Sequence, residues 1–238
     1  MMIILTLVTL GVSYLLGSIP FGLIIVWLST GKDVRKIESG RTGGTNVMRA
    51  AGFWAGALTT ILDVAKSAIT VWLIRWIFPL NEWRIWMEVL APIAAIIGHN
   101  YSLFIPSRTS NGFIKLHGGA GGTPAVGGAM GLWWPSLLII APIGLLIMFG
   151  IGYASVATMS VPLIATVIFA IGYKMGYFPW QYILYGVLAE AIILWALRPN
   201  IRRLMNGTER LVGWRAKRTK KPNSDPKVYS SSSSSSSS

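Results

Sequence analysis

Residues 2–28 contain no charged side chain, and a helix of that length crosses a hydrocarbon core of about 30 Å. No other feature limits the fold so strongly, because a backbone inside lipid must satisfy its own N–H and C=O groups, and only helices and closed barrels do so. Six further apolar runs follow, at about 53–78, 85–98, 123–135, 137–151, 155–173 and 178–197. Of the 238 residues 53% are apolar and 12% charged, about half the charged share of a soluble domain. The expectation is an all-α, polytopic integral membrane protein of about seven transmembrane helices, with one membrane domain over 1–213. No basic segment precedes the first run and no small-residue cleavage site follows it, so a retained span is expected rather than a removed signal peptide. Several runs are short or broken by Gly and Pro, and the glycines at 118, 119, 121, 122, 127 and 128 permit close approach to a neighbouring helix or to a ligand.

The net charge of +13 raises nucleic acid as a partner, and the placement of the charges argues against it. Seventeen of the twenty-one Lys and Arg residues fall in 29–52, 99–122 and 198–238, which share one side of a seven-span chain. This predicts an N-terminus outside and a C-terminus in the cytoplasm. The segment 214–238 is basic and then runs into serines 230–238, so it is expected to be a disordered tail that leans on anionic lipid. With no Cys and only His99 and His117 as imidazoles, disulfides, thiolate nucleophiles and a multi-histidine metal centre are excluded, and neither metal nor cofactor is expected.

Three segments on the predicted cytoplasmic side carry anion-binding chemistry. Between Ser39 and Arg49 the chain packs hydroxyls, an amide, glycines and two arginines, a set that suits a phosphate as well as it suits a solvated turn. The stretch from His99 to Pro124 ends in the glycines 118, 119, 121 and 122 just before a span, where a helix N-terminus favours an anion and where glycines also serve helix packing. It lacks the Gly-Lys-Ser/Thr of a Walker A loop. The third segment, 197–204, sets Asn200 among arginines. Within the second span Asp63 and Lys66 stand at i and i+3 and are expected to pair. Glu88 and Glu190 are the other comparable acidic groups, too few for an ion pathway. His99 is expected to cap the C-terminal end of a span rather than act as a base, and for His117 both roles stay open.

These residues together resemble the membrane-integral, acyl-phosphate-dependent glycerol-3-phosphate acyltransferases of bacteria, the PlsY family, over roughly 1–213. The resemblance rests on Leu16–Gly22, on Ser39-Gly-Arg-Thr-Gly-Gly-Thr-Asn-Val-Met-Arg49, on Asp63-x-x-Lys66, on Gly98-His99, on Gly118-Gly-Ala-Gly121, and on Asn200-Ile-Arg-Arg-Leu204 followed by Gly207-Thr-Glu209. It implies a multi-pass enzyme of the bacterial plasma membrane with its site facing the cytoplasm. The reaction implied is acyl transfer from acyl phosphate to the 1-hydroxyl of glycerol 3-phosphate, giving lysophosphatidate for phospholipid synthesis. An enzyme that forms acyl phosphate is the implied functional partner. Such chemistry needs positioning and charge stabilisation rather than a covalent nucleophile. By resemblance Ser39, Asn46 and Arg49 are the catalytic candidates. Gly40, Thr45, Gly118, Gly119, Gly121, Thr158 and Asn200 are the substrate-binding ones.

The chain departs from the family pattern at a few positions. Where the family has Gly-Gly-Lys-Gly the lysine position is Ala120, the family histidine before the Asn200 motif is Leu197, and the first-motif asparagine is Arg41. Arg41, Lys115 or His117 is the group expected, on proximity in sequence alone, to move into the gap in charge. The departures keep two alternatives in view, a related transferase with a different acceptor or donor and a non-catalytic membrane protein that binds lipid or phosphate on the same scaffold.

Overall fold

The computed structural model describes residues 2–108 and 111–219, and each of the apolar runs is helical. The helices among the described residues are α1 (Met2–Ser18), α2 (Phe21–Thr30), α3 (Gly44–Ala51), α4 (Phe53–Ile77), α5 (Glu82–Asn100), α6 (Gly122–Leu132), α7 (Ser136–Ile151), α8 (Ala154–Lys174), α9 (Gln181–Ala196), α10 (Arg198–Met205) and α11 (Gly213–Thr219). Among them, three segments are long and apolar enough to cross a membrane: Met2–Thr30, Phe53–Ile77 and Ala154–Lys174. The pair α9 and α10, bent by 68°, makes a fourth if taken as one. Helix α6 has 11 residues, about 16 Å of rise, roughly half the thickness of a hydrocarbon core.

A helix so short persists because protein surrounds it. It packs on α4, α5, α8 and α9, and its Ala125 and Ala129 join Ile93, Ile96, Phe169 and Tyr185 in the main core cluster. A Cβ on Gly127 would lie 2.0 Å from the Val64 carbonyl oxygen, so the glycine is what lets α6 press against α4. Close approach also joins α1 to α5, where a Cβ on Gly98 would lie 2.1 Å from the Tyr14 carbonyl. Outside this core the exposed large side chains, such as Trp54, Trp76 and Leu146, form the apolar surface a lipid-embedded bundle needs.

Three sequence expectations change. The first run is two helices, because Pro20 offers no N–H and the chain breaks at Ile19-Pro20. The freed Ile19 carbonyl accepts from Lys66 Nζ at 3.0 Å, which makes the break tolerable away from water. The fold is mostly helical but not all-α: β1 (Ser102–Arg108) and β2 (Ile114–His117) form an antiparallel hairpin that pairs Ser107 with Lys115 and Arg108 with Ile114. Pro106 opposes a helix there, and Asn111-Gly112, with φ of 80° at Gly112, suits a hairpin turn. The third change concerns the tail expected to be disordered, in which residues up to Thr219 belong to α11 and 220–238 lie outside the described residues.

The expected pair of Asp63 and Lys66 is present, with Nζ to Oδ1 at 2.8 Å and both side chains buried. Near the C-terminal end of α4 and the N-terminal end of α5, Glu88 accepts from Arg75 Nε at 3.2 Å, from Arg84 Nε at 3.0 Å and from the Tyr182 hydroxyl. Arg75 also donates to the Leu132 carbonyl at 2.8 Å. This cluster ties the ends of α4, α5, α6 and α9 together, which gives Glu88 a structural task.

Candidate active site

At the other end of the bundle, the three segments with anion chemistry and the α7–α8 junction converge on one cleft. Its walls begin with the loop before α3. Asp33 caps the turn Val34–Lys36 through the Arg35 N–H, and the chain then bends at Gly40, whose φ of 68° favours glycine. The Asn46 side chain holds this loop in shape. Its Nδ2 donates to the carbonyls of Val34, Ile37 and Arg41 at 2.8–3.1 Å, and its Oδ1 accepts from the Ser39 N–H at 3.4 Å. Asn46 was expected among the catalytic residues, but its amide is fully spent on the loop and leaves no donor for a substrate.

Four helices point their N-terminal ends at the cleft. The first turns of α3 (Gly44, Thr45), α6 (Gly122, Thr123), α8 (Ala154, Ser155) and α10 (Asn200) all line it, and none has a side-chain cap on its first N–H groups. The residues at the cap positions, Gly43, Gly121, Tyr153 and Leu197, lack the oxygen of a Ser, Thr, Asp or Asn cap. Four helix dipoles with uncapped donors make a site for anions.

Arginines add full charge. Arg41 crosses the cleft, with Nη1 donating to the Gly119 carbonyl at 2.8 Å and Nη2 to the Ala196 carbonyl at 2.7 Å and to Asn200 Oδ1 at 3.3 Å. Burial, and then the like charge of Arg203, push its pKa below the usual arginine value, yet a guanidinium stays protonated. Three bonds leave two of its five N–H groups free. Arg49 lines the cleft and its side chain makes no hydrogen bond among the described residues; burial again lowers its pKa, opposed by Glu38. Glu209 sits opposite, accepting from Asn200 Nδ2 at 2.8 Å, Ser155 Oγ at 3.3 Å and Arg203 Nε at 2.9 Å. A chain of contacts therefore runs from Arg41 through Asn200 to Glu209.

Of the residues singled out from sequence, Ser39, Thr45, Asn46, Arg49, Gly121, Thr158 and Asn200 line the cleft. Gly40, Gly118 and Gly119 do not. The two latter glycines pack on the end of α5: a Cβ on Gly118 would meet the His99 carbonyl at 2.0 Å, and one on Gly119 would meet His99 Nε2 at 1.8 Å. Ala120 and Leu197 both line the cleft, and the Arg41 guanidinium bonds the carbonyls of the residues just before them. Lys115 and His117 are on the hairpin, where His117 Nε2 lies 2.6 Å from Ser107 Oγ, so the gap in charge is filled by Arg41 alone of the three. His99 is not the expected helix cap. It is buried, lines the cleft and sits 3.0 Å from Lys66 Nζ. Sequence reasoning missed Ser155 and Glu209 as cleft residues, although Glu209 was visible as an isolated acid in the otherwise basic segment after Asn200.

The family model for glycerol-3-phosphate acyltransferase matches residues 7–207. A relative of that name from Rubrobacter xylanophilus is 37% identical over 215 residues, covering 88% of this chain and 96% of its own length. Another, from Thermus thermophilus, is 34% identical and covers 87% and 96%. Among solved structures, the crystal structure of PlsY (YgiH), an integral membrane glycerol 3-phosphate acyltransferase, in its glycerol 3-phosphate form aligns with a TM-score of 0.73 at 29% identity, over 87% of this chain and 96% of that one.

Proposed function

The chain belongs to the glycerol-3-phosphate acyltransferase family, and from that premise we propose that the cleft joins a fatty acyl group to glycerol 3-phosphate, the membrane step that forms lysophosphatidate for phospholipid synthesis. The observation that carries this reading is the convergence of four uncapped helix N-termini with Arg41 and Arg49 on one cleft. Acyl phosphate is the donor this chemistry favours. Both it and the acceptor carry phosphate, its acyl carbon is already activated, and the cleft offers donors rather than a nucleophile. The 1-hydroxyl of glycerol 3-phosphate attacks the acyl carbon, the new C–O ester bond forms, the acyl–phosphate bond breaks, and the hydroxyl proton leaves with inorganic phosphate. The chain's part is to hold two anions together and to stabilise the oxyanion between them.

In this reading Arg41, Arg49 and the first turns of α3 and α6 hold phosphate oxygens, Ser39, Thr45 and Thr158 supply hydroxyls, and Asn200, fixed by Glu209, orients the acceptor. Purified protein in lipid, given palmitoyl phosphate and labelled glycerol 3-phosphate, is expected to form lysophosphatidate, with palmitoyl coenzyme A as the comparison donor. No product with either donor removes the proposal, and product with coenzyme A alone removes its donor. In the same assay Arg49→Lys is expected to raise KM about tenfold or more, because a point ammonium loses the bidentate grip of a guanidinium on phosphate.

We further propose seven crossings, with the N-terminus outside and the cleft on the cytoplasmic side of a bacterial plasma membrane, supported by the Lys and Arg excess on the cleft side. An enzyme that forms acyl phosphate then supplies the donor from the cytoplasm. A topology reporter fused after residue 215 is expected to register cytoplasm, and one inserted at 79–83 the outside. The opposite pair of signals would invert the site.

A further inference from the structure

The hairpin of β1 and β2 has two unlike faces. Paired residues of an antiparallel ladder share a face and neighbours along a strand alternate, so Arg108 with Ile114 and Pro106 with Leu116 stand on one side, and Ser107 with Lys115 on the other. Exposure follows the same alternation. Phe104, Pro106 and Arg108 are exposed while Ile105 between them is buried, and on β2 Ile114 is 71% exposed. One face is therefore apolar, carrying Phe104, Pro106, Ile114 and Leu116, with Arg108 at its far end. The other carries Ser107, Lys115 and His117, whose Nε2 lies 2.6 Å from Ser107 Oγ. Arg35 and Asp33 of the first loop are near enough for their charges to act on His117. With Ile105 buried on the same side, this polar face looks toward the protein and the apolar face away from it.

The hairpin leaves the bundle where membrane helices end. β1 starts two residues after the last of α5, the Tyr14 hydroxyl donates to the Tyr101 carbonyl at 2.7 Å, and Ser102 Oγ donates to the Ser18 carbonyl at 2.5 Å, so its root is fixed between the ends of α1 and α5. Exposed apolar side chains continue along the chain from α5 into the strand, through Ile97, Leu103 and Phe104, and Phe113 beside the turn adds an exposed ring at the tip. An amphipathic element with cations at this level fits the boundary between headgroups and acyl chains, where water still serves the free edges of two strands. Charge points the same way. No Asp or Glu stands between His99 and Pro124, and among the described residues neither Arg108 nor Lys115 is in an ion pair. A second copy of the hairpin would set these cations against their own kind, whereas an anionic bilayer complements them.

We propose that the hairpin is an interfacial anchor, whose apolar face beds into the leaflet on the cleft side of the bundle while Arg108 meets the phosphates of anionic lipids and Lys115 stays in the aqueous headgroup layer. β2 leads straight into Gly118, whose carbonyl accepts from the Thr42 N–H at 3.3 Å, so the anchor is tied to the loop that walls the cleft. The anchor needs only the membrane and not the reaction assigned to the cleft.

The chain has no cysteine, so a single nitroxide label can be placed by Phe104→Cys, Ile114→Cys or Lys115→Cys without background. With the full-length protein in nanodiscs of phosphatidylcholine and phosphatidylglycerol, the labels at 104 and 114 are expected to collide several-fold more with oxygen, which dissolves in lipid, than with a water-soluble nickel chelate. The label at 115 is expected to show the reverse. A label at 114 as open to nickel as the one at 115 overturns the anchor. One shielded from both reagents means that protein covers the face, a second copy or another chain, and overturns it as well. Arg108→Gln added to Ile114→Cys is expected to lower the ratio of lipid-buried to water-exposed label about fivefold in the anionic disc, the weight of one cation at such a surface, and to change it little in phosphatidylcholine alone. Equal losses in the two lipids, or no loss in either, overturn the headgroup contact.

Discussion

Replacing Arg41 with alanine is expected to lower kcat/KM for acyl transfer by about 100-fold or more while the protein stays folded in detergent. The figure corresponds to about 3 kcal/mol, the upper end for one hydrogen bond to a charged group. Arg41 also bonds Gly119, Ala196 and Asn200, so its removal loosens two walls of the cleft as well as deleting the charge. Arg41→Lys is expected to recover little, because one ammonium cannot span carbonyls on two segments and still reach a ligand. Adding Ala120→Lys and Leu197→His to the native chain is expected to gain nothing, since both new groups would crowd a guanidinium already in that space. The same two changes on top of Arg41→Asn are expected to raise activity at least about tenfold over Arg41→Asn alone. Steady-state kinetics on the series decides it, and an Arg41→Ala enzyme with native activity would sink the assignment.

The second large effect is on stability. Asp63→Leu is expected to destabilise the folded protein by about 3–5 kcal/mol, because it leaves the Lys66 ammonium buried with no counter-charge. Lys66→Met in the same chain is expected to restore a good part of the loss, as an apolar pair of similar volume carries no desolvation cost. Thermal unfolding of the single and double variants in one detergent reads the order directly. A double variant less stable than the single one would mean that the bonds of Lys66 to Ile19 and His99 outweigh its pairing with Asp63.

The parts of this architecture legible in the sequence are those with a one-dimensional signature. Apolar runs marked the helices, glycines and hydroxyls between basic residues marked the loops that line the cleft, and Asp63 with Lys66 announced their own pairing by spacing. The missed features depend on contacts distant in sequence. Nothing near Arg41 says that its guanidinium reaches Ala196, and nothing near Asn46 says that its amide is consumed by the loop it belongs to. Gly118 and Gly119 carry the composition of a phosphate cradle, but the end of α5 occupies the space they leave. The break at Pro20 depends on a partner, Lys66, that comes from another helix.

The reach of Arg41 also sets a timetable. Its partners lie 78, 155 and 159 residues further along the chain, the last two at the junction of α9 and α10. Synthesis runs from the N-terminus, so the first loop exists long before the carbonyl of Ala196 and the amide of Asn200 are made. A chain interrupted before residue 196 holds most of its membrane helices and lacks a closed cleft. On the function proposed above, the Arg41 side of the cleft is complete only once the α9–α10 junction docks against the first loop.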